Sequence, residues 1–185
     1  MRLYRATSWL DPRIEVRPSR IDGHGLFARA PIRAGTVVSE AGGKALTDAQ
    51  LETYKAGKYS ASAIDEGVNL LQDPNDPLAC GNHSCDPNLW MVDEVTVAAR
   101  RNIAEGEELT IDYALHSVQP SWSMACHCAS PLCRRAVTGD DWRRPELQRR
   151  YAGHFSPFIN RQIDAQDPSS RLRSDRSDAE HDASS

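Results

Sequence analysis

The chain has 185 residues, 39% of them hydrophobic, and a formal net charge of −4 at pH 7, which fits one domain with one core and a polar tail. It contains no run of 18 apolar residues and its N-terminus lacks an apolar signal segment, so we expect a soluble, cytoplasmic protein without a membrane span. Residues 1–125 carry 17 acidic and 12 basic side chains. Such a balance would attract a basic partner and repel nucleic acid, although an acidic surface more often serves solubility alone.

Short strands joined by turns are predicted for the first part of the chain. Residues Ile14 to Arg17 and Thr36 to Glu40 have strand composition and flank turns at Gly23/Gly25 and at 33–35. A helix start is predicted at Thr47, because a glutamine stands three residues later in the capping-box position.

The middle of the chain continues the same pattern. We predict a turn at 73–77 and a hairpin of Leu89 to Met91 with Val95 to Ala99, bridged by Asp93-Glu94. After another turn at 104–107, a strand is predicted from Glu108 to Tyr113. The sequence therefore indicates a mostly β fold with short helices.

Residues 139–163 have a helical pattern. Trp142, Leu147 and Tyr151 recur at helical spacing, and Pro145 suits an early helical position. We expect these apolar side chains to pack on the body of the domain, although they could also cover an active site. We interpret three arginine pairs as solvent-exposed side chains at the edges of helices. They are at positions 134/135, 143/144 and 149/150. From residue 164 to 185 the composition predicts a disordered tail.

The cysteines indicate a metal site rather than disulfides. Their number, five, is odd, and three of them form a Cys126-x-Cys128-x4-Cys133 cluster in a chain without a secretory signal. A closed structural zinc site needs four ligands, so a fourth must come from elsewhere. Cys85, His127 and Cys80 are the candidates, and a cysteine left over is expected to be a small buried hydrophobe.

Four ordered motifs resemble those of SET-domain methyltransferases that carry a cysteine-rich post-SET zinc segment. They are Gly23-His24-Gly25-Leu26-Phe27-Ala28, Asn82-His83-Ser84-Cys85-Asp86-Pro87-Asn88, Glu107-Glu108-Leu109-Thr110-Ile111-Asp112-Tyr113, and Cys126-His127-Cys128 with Cys133. The resemblance implies a SET-type β fold in which the asparagine-histidine and tyrosine segments thread past each other in a knot-like arrangement. It divides the chain into an N-terminal lead (1–13), a SET domain (14–118), a post-SET zinc segment (119–138), a C-terminal helical segment (139–163) and the tail.

The same resemblance implies a protein-lysine N-methyltransferase that uses S-adenosyl-L-methionine and a structural zinc ion. The cofactor would be bound by Gly23, His24, Gly25, Asn82 and His83. Tyr113 would orient the target amine, although an isolated strand tyrosine is usually a packing residue. The resemblance nominates Cys85 as fourth zinc ligand beside Cys126, Cys128 and Cys133.

Other positions limit what the resemblance implies. Asp112, Glu107 and Glu108 look like paired carboxylates for acid–base work, but we interpret them as structural. Ala41 stands where many relatives have an aromatic residue in the lysine channel, and residues 79–81 replace a triplet with arginine and an aromatic residue. Ile111 gives no prediction of the number of methyl groups added.

Two alternatives to a protein-lysine methyltransferase stay open. They are a methyltransferase for a small-molecule or peptide amine, and a catalytically silent module that binds a partner peptide. The sequence does not indicate the oligomeric state.

Overall fold

The structure, a computed structural model, describes residues 3–54 and 60–166. Short strands dominate this part, and the bounds of the elements are as follows. The strands are β1 (Trp9–Leu10), β2 (Ile14–Pro18), β3 (His24–Ala28), β4 (Val37–Glu40), β5 (Lys44–Thr47), β6 (Ser60–Asp65), β7 (Val68–Gln72), β8 (Asn82–His83), β9 (Leu89–Met91), β10 (Thr96–Ala99), β11 (Glu108–Ile111), β12 (Ser123–Ala125) and β13 (Ala136–Thr138). The α-helices are α1 (Asp48–Leu51), α2 (Pro145–Arg150) and α3 (Pro157–Gln166).

The strands form small sheets, and the two four-stranded sheets share one apolar core. Two sheets have the orders β1-β4-β10-β9 and β2-β3-β11-β8, while β5-β7-β6 forms a third sheet and β12-β13 a hairpin. Side chains from the first two sheets meet in one buried cluster, which includes Leu26, Val38, Leu89 and Leu109. This core holds β8 and β11 in place.

Strands β8 and β11 bring two distant motifs together. They pair in parallel, with Thr110 opposite Asn82 and Ile111 opposite His83. Two adjacent parallel strands need a long connecting segment. Here the paired residues Asn82 and Thr110 lie 28 positions apart in the sequence. The predicted juxtaposition of the asparagine-histidine segment with the tyrosine segment is therefore confirmed.

The C-terminal helices pack on the body of the domain rather than standing apart. Trp142, Leu147, Tyr151 and Phe155 are buried in one cluster with Leu115, and Ile159 of α3 joins them. Pro145 occupies the first turn of α2, as the sequence predicts, because its missing N–H costs nothing there. Helix α3 ends at Gln166, three residues beyond the predicted helical segment, and residues 167–185 of the predicted tail lie outside the described part.

Most of the predicted local elements are confirmed. Thr47 caps α1 and forms the expected capping box with Gln50, and Asp93 accepts the backbone N–H groups of Val95 and Thr96 in the β9–β10 turn. The sheet β5-β7-β6 was not predicted as a sheet. No helix in the described residues is long and apolar enough to cross a membrane.

Candidate active site and metal centre

Tyr113 lies at a turn rather than on a strand. The predicted strand through Tyr113 was wrong at its end, since β11 stops at Ile111 and a short 3-10 turn begins at Tyr113. The cause is Asp112, whose carboxylate accepts the N–H of Ala114 at 3.1 Å and so caps the turn. The phenol of Tyr113 then donates to the carbonyl oxygen of Gly81 at 2.8 Å. Burial raises the pKa of Tyr113, so the hydroxyl stays protonated at neutral pH.

A cavity of about 220 Å³ opens beside the Tyr113 ring. Its walls are mainly apolar, and polar groups enter from Ser39, Ser62, Gln72, Glu94 and His116. Ala41 lines this cavity, so the position predicted to lack a channel aromatic does face it. The apolar side chains of the lining come from Leu26, Leu70, Leu78, Leu89, Met91, Val95, Val97, Leu109 and Ile111.

A second cavity of about 280 Å³ adjoins the first, since Ser62 and His116 line both. It lies between residues 61–63 of β6 and the segment 116–119 that follows Tyr113, with Trp122 at its side. His116 thus stands between the two cavities, with its ring edge-on to Tyr113 at a centroid distance of 5.7 Å. Burial lowers the pKa of His116 to about 4. Sequence analysis did not identify His116, because its only signal was a position three residues after Tyr113.

The predicted cofactor residues lie in two neighbouring segments, the 22–25 loop and β8, which are connected by hydrogen bonds of Asn82. None of them lines either cavity. The side-chain amide of Asn82 donates toward the carbonyl oxygens of Asp22 and His24, at 3.2 and 3.0 Å, and toward Glu108 Oε1 at 2.8 Å. Asn82 therefore fixes the shape of the 22–25 loop. The interpretation of Glu108 as structural is consistent with this contact and with its hydrogen bonds from Ser19.

Gly25 is required by the close packing around Asn82. A Cβ at this position would lie 2.2 Å from Glu108 Oε1 and 3.1 Å from Asn82 Nδ2. Gly23 instead provides the left-handed backbone of the loop, with φ of +42°. Gly23 and His24 are exposed while Gly25 is buried, so the loop presents backbone groups and one imidazole to solvent above a tightly packed base. A loop with bare backbone on a rigid floor suits close approach by a ligand.

His83 is buried, with 2% of its surface exposed. Its Nδ1 accepts the backbone N–H of Tyr113 at 3.2 Å, and its Nε2 lies 3.2 Å from Cys85 Sγ. Burial lowers the pKa of His83 to about 4, against the opposing effect of the Asp112 carboxylate. The ring is therefore neutral at pH 7.

Four cysteine sulfur atoms form a compact cluster. Those of Cys85, Cys126, Cys128 and Cys133 all lie within 4.8 Å of one another, and those of Cys85 and Cys126 are 3.8 Å apart. A tetrahedral site with Zn–S bonds of about 2.3 Å requires sulfur atoms about 3.8 Å apart, so the donor set fits zinc in chemistry and in spacing. Among the three candidates for the fourth position, the structure brings Cys85 to the cluster. His127 is exposed, and Cys80 packs against the apolar core.

A buried ionic network links the cysteine cluster to the turn that holds Tyr113. Arg134 donates to both carboxylate oxygens of Asp112, at 2.6 and 2.7 Å, and to Asp141 at 2.9 Å. Tyr151 donates to Asp112 at 3.1 Å. Burial is the largest single influence on the pKa of Asp112 and would raise it, but the hydrogen bonds and positive charge of Arg134, with smaller contributions from His83 and the Ala114 N–H, together lower the pKa. Asp112 is thus an ionised structural group, as predicted, rather than a proton donor.

Two arginines correct the sequence interpretation. Arg134 was expected at a solvent-exposed edge, but only 7% of its side chain is exposed. It is buried because its guanidinium forms ion pairs with the carboxylates of Asp112 and Asp141. Arg150 was expected there too, yet it donates to the carbonyl oxygen of Cys85 at 3.0 Å. The signal that the sequence did offer was the position of Arg134 directly after the last cysteine of the cluster.

Comparison with known proteins agrees with this geometry. Residues 23–114 match the model of the SET domain. The chain is 31% identical over 135 residues to the Histone-lysine N-methyltransferase ash1 of Drosophila melanogaster, with 65% of this chain and 6% of that protein covered. It is 30% identical over 142 residues to the Histone-lysine N-methyltransferase ATX2 of Arabidopsis thaliana, with 68% of this chain and 13% of that protein covered. The chain thus spans a small part of either relative.

A solved structure has the same fold. The methyltransferase domain of human Histone-lysine N-methyltransferase SETMAR superposes with a TM-score of 0.55 at 21% identity, and the match covers 68% of this chain and 58% of that one. At this identity the likeness concerns the fold alone. It agrees with the mostly β architecture with short helices that the sequence predicts.

Proposed function

The chain belongs to the SET-domain family, and from that premise we propose that it transfers a methyl group from S-adenosyl-L-methionine to the ε-amino group of a lysine in a protein. The observation that carries the proposal is the position of Tyr113. Tyr113 lines a mainly apolar cavity, and its backbone N–H is bound by His83 of the Asn82–His83 segment. Methyl donor and amine acceptor can then be bound on two sides of one tyrosine.

The donor would be held by the group around the 22–25 loop. Gly23, His24 and Gly25 would offer backbone N–H and carbonyl groups, and Asn82 and His83 would hold the loop and the adjoining strand in place. Glu108 and Asn82 pack so closely on Gly25 that a Cβ there would overlap them, and this rigid floor under the loop is consistent with a tightly built ligand cradle. When bound, the cofactor supplies an electrophilic methyl group on a sulfonium.

The acceptor would enter the cavity beside Tyr113. Its apolar walls suit the four-carbon stem of a lysine, and Tyr113 and the carbonyl oxygen of Gly81 offer polar contacts near the amine. Methyl transfer needs the neutral amine, and deprotonating a lysine of pKa about 10.4 at pH 7 costs about 4.6 kcal/mol. Burial in an apolar cavity lowers that cost, because it disfavours the charged form. A dedicated general base is therefore not required.

The rest of a substrate would lie along β6. Among the described strands β6 pairs with β7, and the second cavity lies between β6 and residues 116–119. An extended peptide can bind along a strand edge by main-chain hydrogen bonds, with side chains entering pockets at alternate positions. A peptide is thus a better fit than an isolated amine. The acidic balance of residues 1–125 favours a basic peptide.

The cysteine cluster would bind zinc as a structural centre. Cys85 lies two residues after His83 of the cofactor segment, while Cys126, Cys128 and Cys133 belong to the segment after residue 119. A shared metal ion would join the two, and its binding energy would contribute to folding of the site.

Calorimetric titration of S-adenosyl-L-methionine into zinc-loaded protein tests the proposal, with Asn82→Ala as the matched variant. We expect saturable binding by the wild type and a loss of affinity in Asn82→Ala, because the loop loses its contacts at Asp22, His24 and Glu108. If well-folded, zinc-loaded wild-type protein does not bind the cofactor, the methyltransferase proposal is wrong, and a module that only binds a partner peptide becomes the better account.

A further inference from the structure

The His83 ring contacts two functional groups from opposite sides. On one side Nδ1 lies 3.2 Å from the backbone nitrogen of Tyr113, and on the other side Nε2 lies 3.2 Å from Cys85 Sγ. We propose that His83 is a positioning residue, a neutral imidazole protonated on Nε2 that donates to the metal-bound thiolate of Cys85 while accepting the Tyr113 amide. This inference rests on the proposed zinc centre and names a role for a side chain that family resemblance assigns to the cofactor.

The contacts determine the tautomer. A backbone N–H is a donor only, so Nδ1 can bond to Tyr113 only if it carries no proton. A neutral ring must then carry its proton on Nε2, which faces the sulfur atom. The carboxylate of Asp112 is an alternative partner for Nδ1, but its Oδ1 lies 3.6 Å away, beyond hydrogen-bond distance. A proton on Nδ1 would also oppose the N–H of Tyr113.

The sulfur atom of Cys85 is suited to receive such a donor. It also accepts the backbone N–H of Arg134 at 3.3 Å, so two N–H groups converge on one buried thiolate. A divalent ion with four thiolates keeps a net double negative charge in a site where Cys85 is fully buried. Hydrogen bonds to the ligand atoms offset that charge and orient the ligands.

The link has a functional consequence. It connects the metal ion to Tyr113 through Cys85 and His83, with no flexible segment between them. The His83 ring, oriented by the metal-bound sulfur, would then hold the backbone of Tyr113 in addition to the Arg134–Asp112 pair, which fixes the preceding residue. Loss of the metal would loosen the backbone at Tyr113 as well as the cysteine segment.

The first test requires no variant in the measured sample. Nuclear magnetic resonance of zinc-loaded protein labelled with nitrogen-15 in histidine reports which ring nitrogen carries the proton. His83→Asn serves only to assign the His83 signals among the six histidines. We expect an unprotonated Nδ1 and a protonated Nε2 at His83. A proton on Nδ1, or on both nitrogens, at pH 7 would overturn the proposal.

The second test separates the two contacts with a matched pair of variants. In His83→Gln the side-chain amide nitrogen can occupy the place of Nε2 and still donate to Cys85. In His83→Asn the amide oxygen can occupy the place of Nδ1 and accept from Tyr113, but no donor from position 83 reaches the sulfur atom. Circular dichroism of both zinc-loaded variants checks that they fold.

Zinc affinity, measured by competition with a chromophoric chelator, is the readout. We expect His83→Asn to bind zinc about 10-fold to 100-fold more weakly than the wild type, the usual range when a partner of a metal ligand is lost, and His83→Gln to retain most of the affinity. Equal affinity of His83→Asn and wild type, or equal losses in both variants, would refute the link, as would a wild type that binds no zinc. None of these readouts uses methyl transfer, so failure of the proposed activity would be seen separately.

Discussion

Arg134 and Asp112 form a bidentate ion pair with hydrogen bonds of 2.6 and 2.7 Å, although 22 residues separate them in the chain. The pair joins the residue after the last clustered cysteine to the residue before Tyr113. Tyr151 of the C-terminal segment completes the carboxylate's set of partners. Arg134 and Tyr151 therefore hold the turn at Tyr113, although both lie after residues 23–114, the range that matches the SET domain.

Replacement of Arg134 by methionine is expected to destabilise the fold by about 3–5 kcal/mol, because it leaves a buried carboxylate without its counter-charge. Urea unfolding of zinc-loaded protein measures this loss. The control is Arg29→Met, since Arg29 pairs with Glu15 at 3.6 Å while 60% of its side chain is exposed. Such a surface pair contributes about 1 kcal/mol or less. Similar losses in both variants would contradict the assigned role of Arg134.

Gly25→Ala tests the packing under the 22–25 loop. The added methyl group would overlap Glu108 and press on Asn82, and overpacking of this kind costs about 1–3 kcal/mol. The strain is relieved when the loop moves away from Glu108, and binding of S-adenosyl-L-methionine must then restore the original shape at about that cost. Because about 1.4 kcal/mol corresponds to a tenfold change in affinity, we expect binding to weaken about tenfold in calorimetry.

The control for that variant is Gly106→Asn. Gly106 has a φ of +79°, and the space that a Cβ would occupy there is open. Asparagine tolerates the left-handed conformation better than most other residues. Gly106→Asn should therefore bind the cofactor like the wild type. Unchanged affinity in Gly25→Ala would place the cofactor elsewhere.

Local sequence signals predicted the parts of the fold that depend on local chemistry. The capping box at Thr47 and Gln50 and the turn at Asp93 are each decided by hydrogen bonds within three residues, so the sequence was sufficient. The motifs also identified Cys85 as the partner of the clustered cysteines, since family resemblance supplied the long-range contact that spacing alone left open.

The missed features depend on tertiary contacts. Strand β6 reads Ser-Ala-Ser-Ala-Ile-Asp. It has only one β-branched residue, Ile64, and no aromatic residue to mark a strand, and pairing with β7 overrides this weak propensity. Arg134 and Arg150 looked like solvated charges because nothing in the neighbouring sequence reveals the acceptors at Asp112 and Cys85. His116 acquires its place between two cavities only when β6 packs opposite it.

Removal of zinc should loosen a defined part of the protein. The metal would hold Cys85 together with Cys126, Cys128 and Cys133, and the β12–β13 hairpin has little apolar burial besides Val137. With a chelator present, hydrogen exchange should become faster for residues 120–140 and for the Tyr113 turn, while the β9–β10 hairpin stays protected. Protection of residues 120–140 that does not change with the chelator would refute metal-dependent folding of this segment.

Acid should destabilise the protein through two histidines, His83 and His116, whose pKa values are lowered in the folded state. The unfolded chain binds a proton at His116 near pH 6.5, but burial delays protonation of the folded state to about pH 4. The contribution of His116 to the unfolding free energy is then constant above about pH 6.5 and falls as the pH decreases toward 4, by up to about 1.4 kcal/mol per pH unit. His83 contributes in the same direction.

The variant His116→Gln isolates one of these contributions. It should give a shallower decrease in the unfolding free energy than the wild type between pH 6.5 and 4, measured by urea unfolding at a series of pH values. Because both proteins keep the cysteine cluster, the difference between the two curves reports His116. Superimposable slopes would mean that His116 is not kept neutral by the fold.

Tyr113→Phe is the decisive variant for the proposal that Tyr113 serves methyl transfer at the cavity it borders. The measurement is transfer of a labelled methyl group from S-adenosyl-L-methionine to lysine in basic protein substrates such as histones, for zinc-loaded wild type and variant at equal cofactor saturation. We predict transfer by the wild type and a rate about 10²-fold to 10³-fold lower in the variant, the usual effect of removing one hydrogen-bond donor at a reacting centre, with cofactor affinity retained. A variant that binds the cofactor and transfers methyl groups as fast as the wild type would contradict the proposed role of Tyr113.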